Sequence, residues 1–496
     1  MIGQLIEVFM EWLDSVWDVS YPIMIVAYYS VVFFAVFKLL LENKSPIKTH
    51  SYLLLLIVVP VIGLLVYIFL GQDYRKNKMY SRKKVLDRDL IQRYVNKQLQ
   101  ASDTPDFVKN DLIRSKLKII KLLLNNNRSV LTRSNKVEIL KNGEEKFPSL
   151  LEAIDKAKHH IHIEYYIFEN DSIGKSIVDV LVKKAKEGVE IRFIYDDVGT
   201  SHLAHKFKKV FLESGVQFKP FSPVYVPQFS KANFRDHRKI VIIDGKVGFL
   251  GGMNVADRYI NRDSKNRYWR DTHLKISGDA IKSLQIVFLL NWYFVSKESI
   301  GFEDKYFPTF EVNEKHCVQI AASGPDSDWA SIMQAIFLAI ATAKKEVLIT
   351  TPYFIPNSSI LTALKTAAMS GINVHILFPE KEDSKIVHAA SMSYMREVLR
   401  AGVKVSLYTK GFIHAKTIVV DGIMSSVGTA NMDYRSFDQN FEVNAIIYAP
   451  DVAKELSQQF KTDLEESIPL QLDRWKKRPI RKKILESTAR LLAPLL

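Results

Sequence analysis

The sequence predicts an α/β protein built from two duplicated lobes that form one pseudo-twofold unit, preceded by a transmembrane helical hairpin. Three observations predict it. Strand-like and helix-like segments alternate from about residue 131 onward. The order of those segments repeats once along the chain. Two apolar runs stand in front of them, each close to the roughly 20 residues that span a bilayer core.

Size and charge set the bounds. The chain has 496 residues and a net charge of +15, so it is long enough for about three domains. The positive balance favours a polyanionic partner: nucleic acid, an anionic membrane surface or a phosphate-bearing substrate. Charged residues make up 25% of the chain, which fits folded protein rather than a disordered tail. The single cysteine, Cys317, excludes an intramolecular disulfide framework and fits a reducing compartment.

Residues 1–20 read as an amphipathic helix, with Ile2, Leu5, Ile6, Phe9, Trp12 and Leu13 on one stripe and Glu7, Glu11, Asp14 and Asp18 on the other. Residues 21–71 hold two membrane spans. The first, 21–41, is interrupted only by Lys38, which can snorkel to the headgroups. The second, 52–70, carries no charge. Arg75, Lys76, Lys78, Arg82, Lys83 and Lys84 follow the second span, whereas the intervening loop has only Lys44 and Lys48. The positive-inside rule therefore places the large C-terminal part in the cytoplasm, with the basic cluster against the anionic inner leaflet. Residues 72–130 read as a basic connector.

The duplication covers the rest, a first lobe over 131–302 and a second over 303–496 with a basic tail. IHIEYYIF (161–168) is echoed by VLITTPYF (347–354), GVEIRFIYDD (188–197) by GINVHILFPE (371–380), and ESGVQF (213–218) by RAGVKV (400–405). Each half then reaches the same pattern: His237, Lys239, Asp244, Gly251 and Asn254 in one, His414, Lys416, Asp421, Gly428 and Asn431 in the other. Offsets between copies stay between 177 and 187 residues. That period is too long for a solenoid and fits two related lobes.

The repeated pattern carries chemistry. Runs of β-branched residues ending in Asp244-Gly245 and Asp421-Gly422 read as strands entering tight hairpins. Residues two apart on a strand face the same side, so His237 projects with Lys239 and His414 with Lys416. Strand parity turns Asp244 and Asp421 away from that face, which makes them structural members of the catalytic motif. A lysine beside an imidazole suits a phosphodiester: the ammonium offsets phosphate charge, and Asn254 and Asn431 can donate to its oxygens. One neutral histidine can attack phosphorus while the other, protonated, serves the leaving alcohol. Each imidazole then needs an orienting carboxylate. Spacing pairs His237 with Asp271 and His414 with Glu442.

These residues resemble the phospholipase D superfamily. The hairpin, EYYIF (164–168), TTPYFIP (350–356), SGPD (323–326) and RLLAPLL (490–496) narrow the likeness to its bacterial cardiolipin synthases. The resemblance implies an α/β/α fold with one site between two lobes, and transfer of a phosphatidyl group between two phosphatidylglycerol molecules to give cardiolipin and glycerol. It implies His237 as nucleophile through a phosphohistidine and His414 as acid and then base. Lys239, Lys416, Asn254 and Asn431 would hold the phosphate. It calls for no metal, no activated nucleotide donor and no nucleic acid, and for a multi-pass protein of the bacterial plasma membrane. One departure is Gly252, where many members carry the hydroxyl that the second half supplies with Thr429. A membrane-bound phospholipase D-type hydrolase or another head-group transferase would use the same residues, and a non-catalytic scaffold would not need them intact.

Other signals read as structural. Gly174-Lys175-Ser176 is only a fragment of a phosphate loop, and His160, His162 and Glu164 read as the start of a core strand rather than a metal site. The run WKKRPIRKK (475–483) suits nucleic acid and an interfacial helix equally.

Overall fold

A computed structural model describes residues 2–41, 46–59, 61, 63–64, 67, 88–102, 104, 110–200, 204–222, 234–261, 267–381 and 383–493. The chain divides into two units, Met1–Asp73 and Tyr74–Leu496.

In the first unit, α1 (Ile2–Leu41) is one continuous helix. The amphipathic stretch and the first apolar run therefore share a single helix, because a change in side-chain polarity leaves the backbone ladder intact. Tyr21–Leu41 within it is long and apolar enough to cross a membrane. Its side chains are turned outward, with Ile23, Val26, Phe33 and Phe34 all exposed, a surface that water does not favour. α2 (Pro46–Val58) packs on α1 through Leu56 and Leu39, and Tyr67 joins the same cluster. Part of the second expected span, at residues 60, 62, 65–66 and 68–70, lies outside the described residues. So do Lys44 and the basic cluster from Arg75 to Lys84.

The second unit opens with α3 (Arg88–Ala101) and α4 (Asp111–Asn127). Asn110 caps α4 by accepting from the N–H groups of Leu112 and Ile113. The stretch expected to be a connector is more than that. Ile113, Ile119, Ile120, Leu123 and Leu124 of α4 are buried in the core of the second lobe.

Two sheets follow. The first comprises β1 (Asn135–Lys141), β2 (His160–Tyr165), β3 (Glu190–Asp196), β4 (Gln217–Phe221), β5 (Lys239–Ile243), β6 (Val247–Gly251) and β7 (Thr272–Gly278). The second comprises β8 (Cys317–Ser323), β9 (Glu346–Thr350), β10 (Asn373–Pro379), β11 (Lys404–Tyr408), β12 (Thr417–Val420), β13 (Met424–Gly428), β14 (Glu442–Tyr448) and β15 (Ser467–Pro469). The spatial order is β1-β7-β6-β5-β2-β3-β4 in one and β8-β14-β13-β12-β9-β10-β11-β15 in the other. Apart from β15 the two orders are the same, with β1 matching β8, β5 matching β12 and β7 matching β14. The duplication read from the sequence is thus a duplication of topology. In both sheets the pairs β2–β3, β3–β4, β9–β10 and β10–β11 are parallel and the rest antiparallel.

Helices α5 (Asn142–Asp155), α6 (Ser172–Lys186) and α7 (Ala204–Ser214) cover the outer face of the first sheet, burying Phe147, Ile177 and Phe211 against Ile163, Phe193 and Val241. α8 (Ala280–Ser296) lies on its inner face. In the second lobe α4, α9 (Ser331–Ala341), α10 (Ser358–Met369) and α11 (Lys385–Ser393) are outside, and α12 (Pro450–Glu465) is inside. One core joins the inner faces. Ile240, Ile242 and Leu274 meet Phe288 and Trp292 of α8, Leu456 and Phe460 of α12, and Val419, Val443 and Ile447 of the second sheet. Full burial of each such side chain contributes about 1.5–3 kcal/mol, so the two lobes hold one another closed. α13 (Ile480–Leu491) follows near the C-terminus.

The motif aspartates sit where strand parity put them. Asp244 and Gly245 have φ of 53° and 64°, Asp421 and Gly422 of 57° and 65°, and the turns close with Lys246 N–H to Ile243 O and Ile423 N–H to Val420 O. Two central residues with φ above zero make the tight turn that suits twisted antiparallel strands. The Asp244 carboxylate accepts from the backbone N–H groups of Lys158, His159 and His160 at 2.8–3.0 Å. Asp421 does the same for Lys344, Lys345 and Glu346, and also takes the buried Lys116 ammonium at 3.0 Å. Each aspartate therefore ties the end of its hairpin to the entry of the neighbouring strand. Asp244→Ala is expected to cost about 2–4 kcal/mol by orphaning those donors. Asp421→Ala is expected to cost more, because it also strands Lys116. Thermal or denaturant unfolding measures both, and equal losses would argue against a role for Lys116.

Candidate active site

His237 lies two residues before β5 and His414 three residues before β12, so both stand beyond the carboxyl ends of β2 and β9. This is the edge at which open α/β sheets place ligands. The backbone then crosses between lobes. His237 N–H donates to Phe441 O at 3.0 Å, and His414 N–H donates to Arg270 O at 2.7 Å. Phe441 and Arg270 are the residues just before Glu442 and Asp271. Short strands reinforce the second crossing, where Gly411–Ile413 pairs in parallel with Tyr268–Arg270.

That crossing corrects the pairing expected from spacing. His237 Nδ1 meets Glu442 Oε1 and Oε2 at 2.9 and 3.0 Å, and His414 Nδ1 meets Asp271 Oδ2 at 2.7 Å. Each histidine takes its carboxylate from the opposite lobe, not from its own. A carboxylate acceptor requires Nδ1–H, so Nε2 is left with the lone pair on both rings. Both carboxylates are fully buried.

The lysines complete the site. Lys239 Nζ donates to His237 O at 2.6 Å and sits 5.4 Å from the Tyr166 ring centroid. Lys416 Nζ donates to His414 O at 2.6 Å and reaches His414 Nε2 at 2.8 Å. Burial pushes both histidines down to about 4, against the pull of Glu442 on His237 and of Asp271 on His414. The lysines go down as well, Lys239 to about 7 and Lys416 to about 8, again through burial, with the carboxylates pulling the other way. Burial alone would raise Asp271 and Glu442. Their histidine partners and the two lysines outweigh it and hold both carboxyls below the usual range. The arrangement is two neutral imidazoles beside two buried lysines, whose ammonium charge favours an anion.

Of the two asparagines, Asn254 is clamped. Its oxygen accepts from Ile167 N–H at 3.0 Å and its amide donates to the Tyr259 hydroxyl at 3.0 Å, which leaves one amide hydrogen for a ligand. Asn431 is buried with its side-chain oxygen unpartnered.

Comparison with known proteins now places the chain. A family model described as cardiolipin synthase, PLD-like domain matches residues 150–277 and 336–464, and one described as phospholipase D-nuclease N-terminal matches 30–72. The chain belongs to the cardiolipin synthase family. It is 43% identical over 461 residues to "Cardiolipin synthase 2" of Bacillus anthracis, covering 92% of this chain and 88% of that one. It is 41% identical over 471 residues to "Major cardiolipin synthase ClsA" of Bacillus subtilis (strain 168), covering 94% and 97%. Among solved structures, the phosphatidylserine synthase of Haemophilus influenzae Rd KW20 shares the fold with a TM-score of 0.58 at 15% identity, over 78% of this chain and all of that one.

Within this cardiolipin synthase family site, the geometry explains the unequal residues after the motif glycines. Thr429 donates its hydroxyl to Glu442 Oε2, while a Cβ at Gly252 would stand 2.3 Å from Asp271 Oδ1. The longer glutamate leaves room for a hydroxyl. In the first lobe Asp271 Oδ1 itself occupies the space that a side chain at Gly252 would need. Sequence reading also passed over Tyr166, packed 5.2 Å from His237, and Trp269 and Phe412, 5.3 and 5.8 Å from His414. For Tyr166 a signal was present, since it falls inside the EYYIF run that the second half echoes with TTPYF. Gly174, His162 and Glu164 make contacts within the fold. Asp171 caps α6 at Gly174 N–H, His162 stacks on Phe288 and bonds Gln285, and Glu164 accepts from Asn291.

A pH dependence follows. An anionic phosphodiester is drawn by the charged lysines, and their lowered values mean that the charge is lost at lower pH than for an exposed lysine. kcat/KM, which reports the free enzyme, is expected to fall as pH rises through about 7 to 8. Lys239→Arg, which stays charged, is expected to move that limb upward. A profile flat to pH 9 would contradict the electrostatic reading.

Proposed function

We propose that the chain is a cardiolipin synthase that moves a phosphatidyl group from one phosphatidylglycerol to a hydroxyl of a second. His237 Nε2 attacks phosphorus and the P–O bond to glycerol breaks. The electron pair leaves on the glycerol oxygen, which takes a proton from His414 Nε2, supplied to that ring by the Lys416 ammonium 2.8 Å away. The phosphohistidine then carries an imidazolium whose Nδ1–H faces Glu442, so the carboxylate stabilises the charge that develops. His414, again neutral, removes the proton from the incoming phosphatidylglycerol hydroxyl. That oxygen attacks phosphorus, the P–N bond breaks, and cardiolipin leaves with His237 restored. Lys239 and Lys416, with Asn254 and Asn431, hold the phosphate, so the positive charge facing it comes from the protein's own side chains.

The observation that carries this reading is the pair of crossed histidine–carboxylate couples with two lysines beside them. Two such couples supply nucleophile and acid for one phosphorus atom. The lobes, over 131–302 and 303–496, would each supply half. The apolar Tyr21–Leu41 helix supports a lipid substrate, and the basic cluster after residue 74 supports two spans with the lobes on the cytoplasmic side.

Purified full-length protein with phosphatidylglycerol vesicles, without metal or cytidine nucleotide, tests the proposal. Cardiolipin and glycerol in equal amounts are expected. Phosphatidic acid as the main product would make the chain a hydrolase, and no turnover would make it a scaffold.

A further inference from the structure

The last helix has a face that the fold does not use. Its inner side is fastened: Glu486 and Ala489 are buried, Glu486 holds Arg478 at 2.5 and 2.7 Å, and Arg490 lies 4.2 Å from the Tyr394 ring and bonds Glu397. Its outer side is apolar. Ile480, Ile484, Leu485 and Leu491 are 67%, 60%, 61% and 80% exposed. At 100° per residue these positions, with Leu492, share one arc of α13, and Arg481 sits within it. α13 lies along α11, where Ile386 is a further apolar residue 52% exposed.

The setting of this patch is basic. Between Leu470 and Ala493 the chain carries eight Lys or Arg and two carboxylates, Asp473 and Glu486, the second already paired with Arg478. Arg474, Lys476, Lys477, Arg481 and Lys482 are exposed around the apolar arc. A second copy of the same face would bring like charges together, which is unfavourable. A bilayer with anionic headgroups meets both features at once: acyl chains receive the isoleucines and leucines, and headgroups receive the cations.

The patch is also close to the chemistry. Asp383, two residues before α11, accepts from the Tyr353 hydroxyl at 2.8 Å. Tyr353 lies 6.5 Å from Phe412, which lies 5.8 Å from His414. A short run of packed side chains thus joins the face to the site.

We propose that the outer face of α13, with Ile386 of α11, is a membrane-docking surface that seats the catalytic unit on an anionic bilayer so that lipid headgroups enter beside His414. The inference rests on the reading of a membrane-borne substrate and adds the surface by which the folded unit meets it.

Full-length Ile484→Cys protein, whose native Cys317 is buried, tests it after labelling with an environment-sensitive thiol fluorophore. It is reconstituted in phosphatidylcholine vesicles with or without phosphatidylserine, each holding bromine-chain quencher lipids. Quenching is expected in the anionic vesicles and is expected to weaken in high salt, while the same label on Glu213→Cys stays unquenched. Ile484→Glu with Leu485→Glu is expected to lower turnover of vesicle phosphatidylglycerol at least fivefold and to leave turnover of monodisperse short-chain phosphatidylglycerol unchanged. Turnover without quenching would overturn the docking surface and leave the proposed reaction standing. Quenching without turnover would support the surface and overturn the reaction. Cross-linking of two copies of the unlabelled Ile484→Cys protein through the introduced thiol, in place of quenching, would make the face a contact between copies and overturn the proposal.

Discussion

Replacing His237 or His414 by alanine is expected to lower phosphatidylglycerol turnover by about three orders of magnitude or more. The double variant is expected to be no slower than either single one, because the two imidazoles act as one device on one phosphorus atom. Each buried carboxylate keeps a second partner when its ring is removed, Asp271 through Thr272 N–H at 2.7 Å. His237 sits at the rim of the site with its side chain 12% exposed, and Glu442 keeps Thr429 as a partner when the ring is gone. Unfolding curves for the variants should therefore stay near the parent, which separates lost chemistry from lost structure. Normal turnover in either single variant would contradict a site built from both lobes.

The carboxylates give the second large effect. Glu442→Gln and Asp271→Asn keep the shape of each side chain and remove its charge. Each is expected to lower kcat by about 10²- to 10⁴-fold with little change in KM, since neither group touches substrate. The loss comes from the imidazolium that forms during reaction, which no longer faces a negative charge. Asp271→Asn should be the worse tolerated in folding. Asp271 accepts from the fixed Thr272 N–H at 2.7 Å as well as from His414, whereas the Thr429 hydroxyl that Glu442 accepts from can rotate to meet an amide.

Much of this site was legible in the sequence because its logic is local. Two residues apart on a strand share a face whatever the rest of the fold does, so His237 with Lys239 and His414 with Lys416 could be read directly. Parity likewise sent Asp244 and Asp421 away, and both are found holding hairpin to strand. The duplication was legible because the segments recur in order, and the two sheets repeat that order strand for strand. The partners of the histidines were not legible. Asp271 follows His237 and Glu442 follows His414 at similar spacing, and spacing along one chain cannot tell a partner in the same lobe from one in the other. The choice is made by tertiary contacts, His237 N–H to Phe441 O and His414 N–H to Arg270 O. The same limit hid α4, whose polar face reads as a connector while its apolar stripe completes a distant lobe.

Those crossed couples are the centre of the proposed chemistry, and nitrogen NMR of protein labelled in its histidine side chains reads them most directly. With His237 and His414 assigned from their alanine variants, Glu442→Gln is expected to shift the His237 ring resonances and leave those of His414 in place. Asp271→Asn is expected to do the reverse. A His414 shift in Glu442→Gln with His237 unmoved would contradict the crossed pairing and return each histidine to the carboxylate of its own lobe.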